Sequence, residues 1–231
     1  EVMLAQSART RQAAAFPGTF PHPMTAVDVP PRRRRLAPLL AALAMFGPFS
    51  IDTIFPAFPA IARDLSATPL AMQQTISVDM IAYALMSLLH GPFSDALGRK
   101  RIIYITVFLY LIGSATCLTA QTLPVMLIGR FLQGLGVSGP YVSTVSIVRD
   151  KYSGAAMGRV MSLIMMIFIM TPAIAPSLGV AIITVASWRY IFGLYIVYAG
   201  LGMAWFGLRL KETLPPEKRI SFSGAHIVSG A

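Results

Sequence analysis

Residues 74–120 read QTISVDMIAYALMSLLHGPFSDALGRKRIIYITVFLYLIGSATCLTA. Two apolar runs, Gln74–Pro92 and Ile102–Ala120, meet at a short polar, basic joint. Each run approaches the roughly 20 residues that a helix needs to cross a hydrocarbon core of about 30 Å. Neither alternates strictly between apolar and polar positions, which argues against strands of a membrane β-barrel. The joint is Gly91-Pro92-Phe93-Ser94-Asp95-Ala96-Leu97-Gly98-Arg99-Lys100-Arg101. Its two glycines permit a tight reversal. Asp95 suits an exposed helix N-terminus, where backbone N–H groups favour an anion. The triplet Arg99-Lys100-Arg101 pins the turn to the cytoplasmic face of a membrane. The stretch therefore reads as two membrane-crossing helices joined by a cytoplasmic loop.

The same pattern recurs on both sides, over Leu36–Pro59, Leu123–Val148, Val160–Val185 and Trp188–Leu208. The expected fold is an all-α membrane protein with six transmembrane helices. Composition agrees. The 231 residues are 55% hydrophobic and 12% charged, with a mean hydropathy of +0.67. Soluble domains carry roughly a quarter charged residues, and a soluble globule of this size cannot hide so much apolar surface. The single cysteine, Cys117, excludes an intramolecular disulfide and argues against a metal-ligand cluster. No Ser/His/Asp constellation or phosphate loop points to an enzyme. No cofactor is expected.

The formal net charge is +10, but the basic residues sit between apolar runs and read as topology signals rather than a nucleic-acid-binding face. Sixteen of the 19 fall on one side of the six spans: Arg9, Arg11 and Arg32–Arg35 before the first, the Arg99 and Arg149 clusters between spans, and Arg209, Lys211, Lys218 and Arg219 at the end. Only Arg63 and Arg189 fall on the other, and Arg130 lies inside span four. Both termini are therefore expected in the cytoplasm. Residues 1–35 read as a polar, disordered cytoplasmic tail, 36–210 as the six-helix domain, and 211–231 as the start of a central cytoplasmic loop. The chain begins with Glu1, and a start at Met24 would leave residues 1–23 outside the native protein. Arg32–Ala44 also resembles a signal peptide, but its apolar run continues through Pro56 and Pro59 without a clear cleavage site.

A charge near mid-bilayer costs about 2.5–3.5 kcal/mol on insertion scales. Asp52, Asp79 and Arg130 are therefore the leading candidates for function. At ~1.5 Å per residue, Asp52 lies about 24 Å from the cytoplasmic start of span one, leaving about 6 Å to the outer boundary. Asp79 and Arg130 lie roughly 8 and 10 Å from the outer starts of their spans. All three fall in the outer half, and a carboxylate beside Arg130 would lessen the cost to both partners. Two readings stand: an ion pair that fixes helix packing, or a site for a proton or a cationic substrate. Asp79 could instead face water near the outer end of span two. His90, closing span two, reads as a snorkelling or capping residue.

The spacing G-x-x-x-D-x-x-G-R-K at Gly91, Asp95, Gly98, Arg99 and Lys100 resembles the signature loop of the major facilitator superfamily. Ala96 stands where that loop usually has a basic residue. Arg130-Phe131-Leu132-Gln133-Gly134-Leu135-Gly136 is similar to the R-x-x-Q-G-x-G signature of its twelve-span drug:proton antiporters. Asp52-Thr53-Ile54-Phe55-Pro56-Ala57-Phe58-Pro59 resembles a segment of the bicyclomycin and chloramphenicol resistance subfamily (Bcr/CflA). Pro56 should free a backbone carbonyl near Asp52 and make a polar notch there. Pro172, Pro176 and Gly179 resemble the antiporter signature of span five, with Ala175 and Val180 replacing glycines; a proline-kinked packing helix would look the same. Trp188-Arg189-Tyr190-Ile191-Phe192 also looks like a family landmark, with Trp188 and Tyr190 read as interfacial anchors.

The resemblance covers residues 36–219. It implies the N-terminal half of a transporter, a 3+3 inverted repeat, with a second six-helix half required either covalently or from a second copy. It implies proton-coupled efflux of small amphipathic compounds across a bacterial inner membrane, driven by the proton gradient, with Asp52, Asp79, Arg130 and Gln133 at the coupling and substrate site. The expected partners are a small-molecule substrate, protons and the lipid bilayer. Export of a sugar, amino acid or other metabolite on the same fold, and a half-length subunit without transport of its own, are the alternatives. Gln133, Ser138, Tyr141, Ser143 and Thr144 do not discriminate between cargoes.

Overall fold

The computed structural model describes residues 37–209. The tail and loop expected at the two ends lie outside the described residues, as do their basic clusters. The described residues form six helical passes and no strand. They are α1 (Ala37–Asp64, interrupted), α2 (Pro69–Leu97), α3 (Arg99–Leu118), α4 (Leu123–Lys151), α5 (Gly154–Val185) and α6 (Arg189–Arg209). All but α4 are both long and apolar enough to cross a membrane. α4 has the length, at 29 residues, but carries Arg130, Gln133 and a run of glycines and hydroxyl side chains.

That composition fits its place. α4 is the inner helix, lying against α2 on one side and α3 on the other, and its polar and small residues are the buried ones. α2 and α5 expose long apolar side chains such as Leu85, Leu88, Ile169 and Ile174. In a bilayer such surface faces lipid or another helical element at no hydrophobic cost.

Helix boundaries follow local chemistry. Thr68 caps α2, its Oγ1 accepting from the Ala71 N–H at 3.2 Å, and Pro69 occupies the first turn, where a missing N–H costs nothing. α1 is broken where prolines demand it. One helical piece ends at Asp52, a 3-10 turn covers Phe55–Ala57, and a second α-helical piece runs Phe58–Asp64. Pro56 and Pro59 lack the N–H groups that would bond to the Asp52 and Phe55 carbonyls, and the break in α1 falls directly after Asp52.

Four boundaries differ from expectation by five residues or more. α1 continues past Pro59 to Asp64, and α2 starts at Pro69, ahead of Gln74. α5 starts at Gly154, ahead of Val160. α2 does not end near Pro92 but continues to Leu97. Gly91 and Pro92 are therefore helical, and Asp95 sits in the last turn of α2 rather than at a helix N-terminus. The reversal is made by Gly98 alone, at φ 94° and ψ 146°, a conformation nearly restricted to glycine. A Cβ on Gly91 would meet no atom within 4 Å. Gly91→Ala is therefore expected to be neutral or to stabilise by up to about 1 kcal/mol through helix propensity. Thermal unfolding in detergent would check this, and a loss of stability would show that Gly91 has a steric role.

Candidate site between α2, α3 and α4

Arg130, on α4, is completely buried. Its guanidinium NH2 lies 3.5 Å from Asp79 Oδ1 on α2. NH1 donates to Gln133 Oε1 at 2.9 Å, and Nε donates to the Thr75 carbonyl at 3.4 Å. Gln133 Nε2 in turn donates to Ser114 Oγ on α3 at 2.8 Å, and that hydroxyl donates to the Tyr110 carbonyl at 2.8 Å. One cation thus ties three helices together. Buried charge is tolerable only when paired and hydrogen-bonded, and these groups supply both.

The glycines of the α4 signature make the approach possible. A Cβ on Gly134 would strike the Asp79 carbonyl and come within 2.8 Å of Ala82 Cβ, both on α2. A Cβ on Gly136 would lie 2.6 Å from the Thr106 carbonyl and the Tyr110 N–H nitrogen, both on α3. Two residues of helix turn by about 200°, so these glycines admit different neighbours. The sequence suggested one close approach; the structure assigns each glycine its own.

Sequence alone leaves the acidic partner of Arg130 open between Asp52 and Asp79. The structure places Asp79 there, 2% exposed, rather than in water near the end of span two. Asp52 is partly exposed and pairs with no basic residue among the described ones. Both carboxylates line one cavity of about 300 Å³, together with Tyr83, Tyr141 and Phe168. Tyr141 and Phe168 bring α4 and α5 to it, with ring centroids 5.5 Å apart.

Below α2 the signature turn forms its own cluster. Arg99 Nε lies 2.7 Å from Asp150 Oδ2 near the end of α4, and its NH2 lies 3.7 Å from Asp95. Lys100 Nζ donates to the Gly207 carbonyl on α6 at 3.3 Å. His90 is buried against α4, its Nε2 2.9 Å from Ser143 Oγ, and so neither snorkels nor caps. On α5, a Cβ on Gly179 would collide with the Thr53 carbonyl at the break in α1, and Pro176 lies one turn earlier, half-buried. Pro172 is exposed, away from that contact. Tyr190 is exposed, as an interfacial anchor would be, whereas Trp188 is 3% exposed.

Sequence reasoning did not single out Thr75 or Ser114. Both are single hydroxyl residues on apolar helices, common where helices pack, and only the three-dimensional rotation of α2 and α3 turns them towards Arg130. Tyr110 and Ser50, 2.5 Å apart through their hydroxyls, and Tyr195, which donates to the Ser50 carbonyl at 2.9 Å, form a further buried polar group joining α1, α3 and α6.

Residues 40–229 match the family model of the Major Facilitator Superfamily. The chain belongs to the major facilitator superfamily. It is a multi-pass membrane protein, and its described residues form six helical passes arranged as in one half of that fold. It is 38% identical over 193 residues to the uncharacterized MFS-type transporter YdgK of Bacillus subtilis, covering 83% of this chain and 48% of that protein. It is 32% identical to the bicyclomycin resistance protein homolog of Haemophilus influenzae, covering 78% and 46%. Identity to the multidrug resistance protein MdtL of Escherichia coli is 34%, covering 75% and 44%. The chain thus spans about half the length of the curated relatives it matches. The human organic anion transporter MFSD10 superposes with a TM-score of 0.66 at 20% identity, covering 83% of this chain and 50% of that one. The inward-open xylose transporter XylE of E. coli superposes at 0.65 and 14% identity, covering 85% and 52%. These two likenesses concern the fold alone.

Proposed function

We propose that this chain forms the N-terminal six-helix half of a proton-coupled multidrug efflux antiporter of the twelve-span, bicyclomycin and chloramphenicol resistance type. A second six-helix half, covalent or from another copy, completes the substrate path. Both termini lie in the cytoplasm of a bacterial cell, and small amphipathic compounds leave across the inner membrane. The observation that supports this reading best is the cavity beside the buried pair: Asp52, without a basic partner among the described residues, shares it with Asp79, which is held by Arg130. Relatives named for multidrug and bicyclomycin resistance support the cargo class.

In this scheme Asp52 is the exchangeable group. It takes up a proton when the cavity faces outward and gives it up when the cavity faces inward, and the substrate competes with the proton there. Arg130 stays cationic, because a guanidinium is not deprotonated in proteins, and fixes Asp79 as its counter-ion. The aromatic side chains of Tyr83, Tyr141 and Phe168 give an apolar substrate its contact surface. Rocking of the two halves exposes the cavity to alternate sides, and no cofactor takes part.

The test uses proteoliposomes containing the full-length protein of which this chain is part. Asp52→Asn and Arg130→Ala should each abolish drug efflux driven by an imposed pH gradient. Normal pumping by both variants would overturn the assignment. Substrate-dependent proton release from the purified protein, measured with drugs and with sugars or amino acids, separates drug efflux from metabolite export.

A further inference from the structure

Two ion-pair clamps, at opposite ends of the six-helix body, share one construction. At one end Arg99, the first residue of α3, holds Asp150 near the end of α4, and the next residue, Lys100, donates to the Gly207 carbonyl near the end of α6. At the other end Arg189, the first residue of α6, lies 3.3 Å from Asp64, the last residue of α1. The same guanidinium donates through NH2 to the Ala120 carbonyl, just beyond α3, at 2.9 Å. An inverted repeat exchanges α1 with α4 and α3 with α6. Under that exchange Arg189–Asp64 takes the place of Arg99–Asp150, and the cap on α3 takes the place of the cap on α6.

The Asp64 clamp has an additional tie. Trp188 Nε1 donates to Asp64 Oδ2 at 2.8 Å, and the Arg189 guanidinium stacks 4.3 Å from the Trp188 ring centroid. One carboxylate oxygen thus receives a neutral and a charged donor, and the stacked indole restricts the guanidinium to one orientation. Trp188 is buried, so its donor faces Asp64 rather than lipid headgroups.

The element this clamp holds is the piece Phe58–Asp64. A helix of two turns is not stable by itself, and this one is separated by the Pro56 break from the part of α1 that carries Asp52. On its other flank the break is met by Gly179 of α5 at the Thr53 carbonyl. The far end of α1 is therefore fixed by Asp64, and the near end by the core packing of Leu39, Leu40 and Leu43. Asp52 lies between.

We propose that Asp64, Trp188 and Arg189 are positioning residues: the inverted counterpart of the signature-turn clamp, they hold the end of the broken α1 and thereby set the placement of Asp52 at the cavity. The inference rests on the proposed transport reading only in the role given to Asp52. Its test does not use transport, so the two fail separately.

The test uses the full-length protein in lipid nanodiscs. Spin labels at Arg63→Cys and Thr119→Cys, in a Cys117→Ala background, report the distance between the ends of α1 and α3. Modification of Asp52 by a hydrophobic carbodiimide, followed by peptide mass spectrometry across pH, reports its placement. Asp64→Ala and Arg189→Ala should broaden a narrow distance distribution and raise the Asp52 modification rate several-fold. Asp64→Glu should restore both towards the parent values. If the alanine variants do not fold, Trp188→Phe removes the indole donor alone and should give a smaller change of the same sign. An unchanged distance distribution in all variants overturns the clamp. A broadened distribution with an unchanged Asp52 rate and pH profile overturns its positioning role.

Discussion

Asp79→Asn is expected to destabilise the protein by about 3–5 kcal/mol, the usual cost of removing one partner from a buried ion pair. The reason lies on the arginine. Arg130 is wholly enclosed, and Asp79 is the acidic group that faces it. Its remaining partners, Gln133 Oε1 and the Thr75 carbonyl, are neutral; they satisfy donors but do not balance a charge. Neutralising Asp79 therefore strands a cation among α2, α3 and α4. Asp52→Asn should change stability by well under half as much, because Asp52 is partly exposed and has no basic partner among the described residues. The double variant Asp79→Asn with Arg130→Gln should recover most of the loss, since no charge then remains buried. Denaturant unfolding of the four proteins in one detergent reads all three differences. Equal effects of Asp52→Asn and Asp79→Asn would mean that the 3.5 Å pair carries no special energy, and failure of the double variant to recover would place the cost in packing rather than charge.

Much of this arrangement was legible from residue type and spacing, and the limits have physical causes. Six passes were readable because the lipid-facing positions must be apolar regardless of which helix neighbours which. The break in α1 was readable because Pro56 removes a specific donor wherever the helix sits. The choice between Asp52 and Asp79 was not, because linear depth put both near Arg130 and only helix rotation decides which one points at it. The end of α2 lies at Leu97, past the expected Pro92, for a related reason. Gly91 and Pro92 punctuate soluble sequences, but inside a bilayer the backbone gains more by continuing its own hydrogen bonds, and the chain turns only where Gly98 supplies its special φ. The position of His90 near a span end suggests snorkelling or capping, whereas its partner Ser143 lies 53 residues away on another helix. Asp64 carried no signal, since a single acid after an apolar run is usually solvated; its value comes from Trp188 and Arg189, which the fold brings back from the far end of the chain.

Gly134→Ala and Gly136→Ala should each cost about 1–3 kcal/mol, the range for overpacking a tight contact, but they should differ in what they break. The atoms opposing both new methyl groups include backbone, which cannot rotate aside as a flexible side chain would. At Gly134 the opposing backbone is the carbonyl of Asp79 itself. Relief requires α2 to move away from α4, which lengthens the Asp79–Arg130 contact. At Gly136 the opposing groups are Thr106 and Tyr110 on α3. Relief there moves α3, which strains the Gln133–Ser114 bond and leaves the ion pair in place. The two variants are therefore separable by double-mutant cycles. Combined with Asp79→Asn, Gly134→Ala should be strongly non-additive, because part of the pair is already lost. Gly136→Ala should add almost fully to Asp79→Asn and be non-additive with Ser114→Ala instead. Unfolding free energies of the two cycles, measured in the same detergent, decide the matter. If both glycine variants couple equally to Asp79, α2 and α3 respond as one body and the separate duties of the two glycines do not exist.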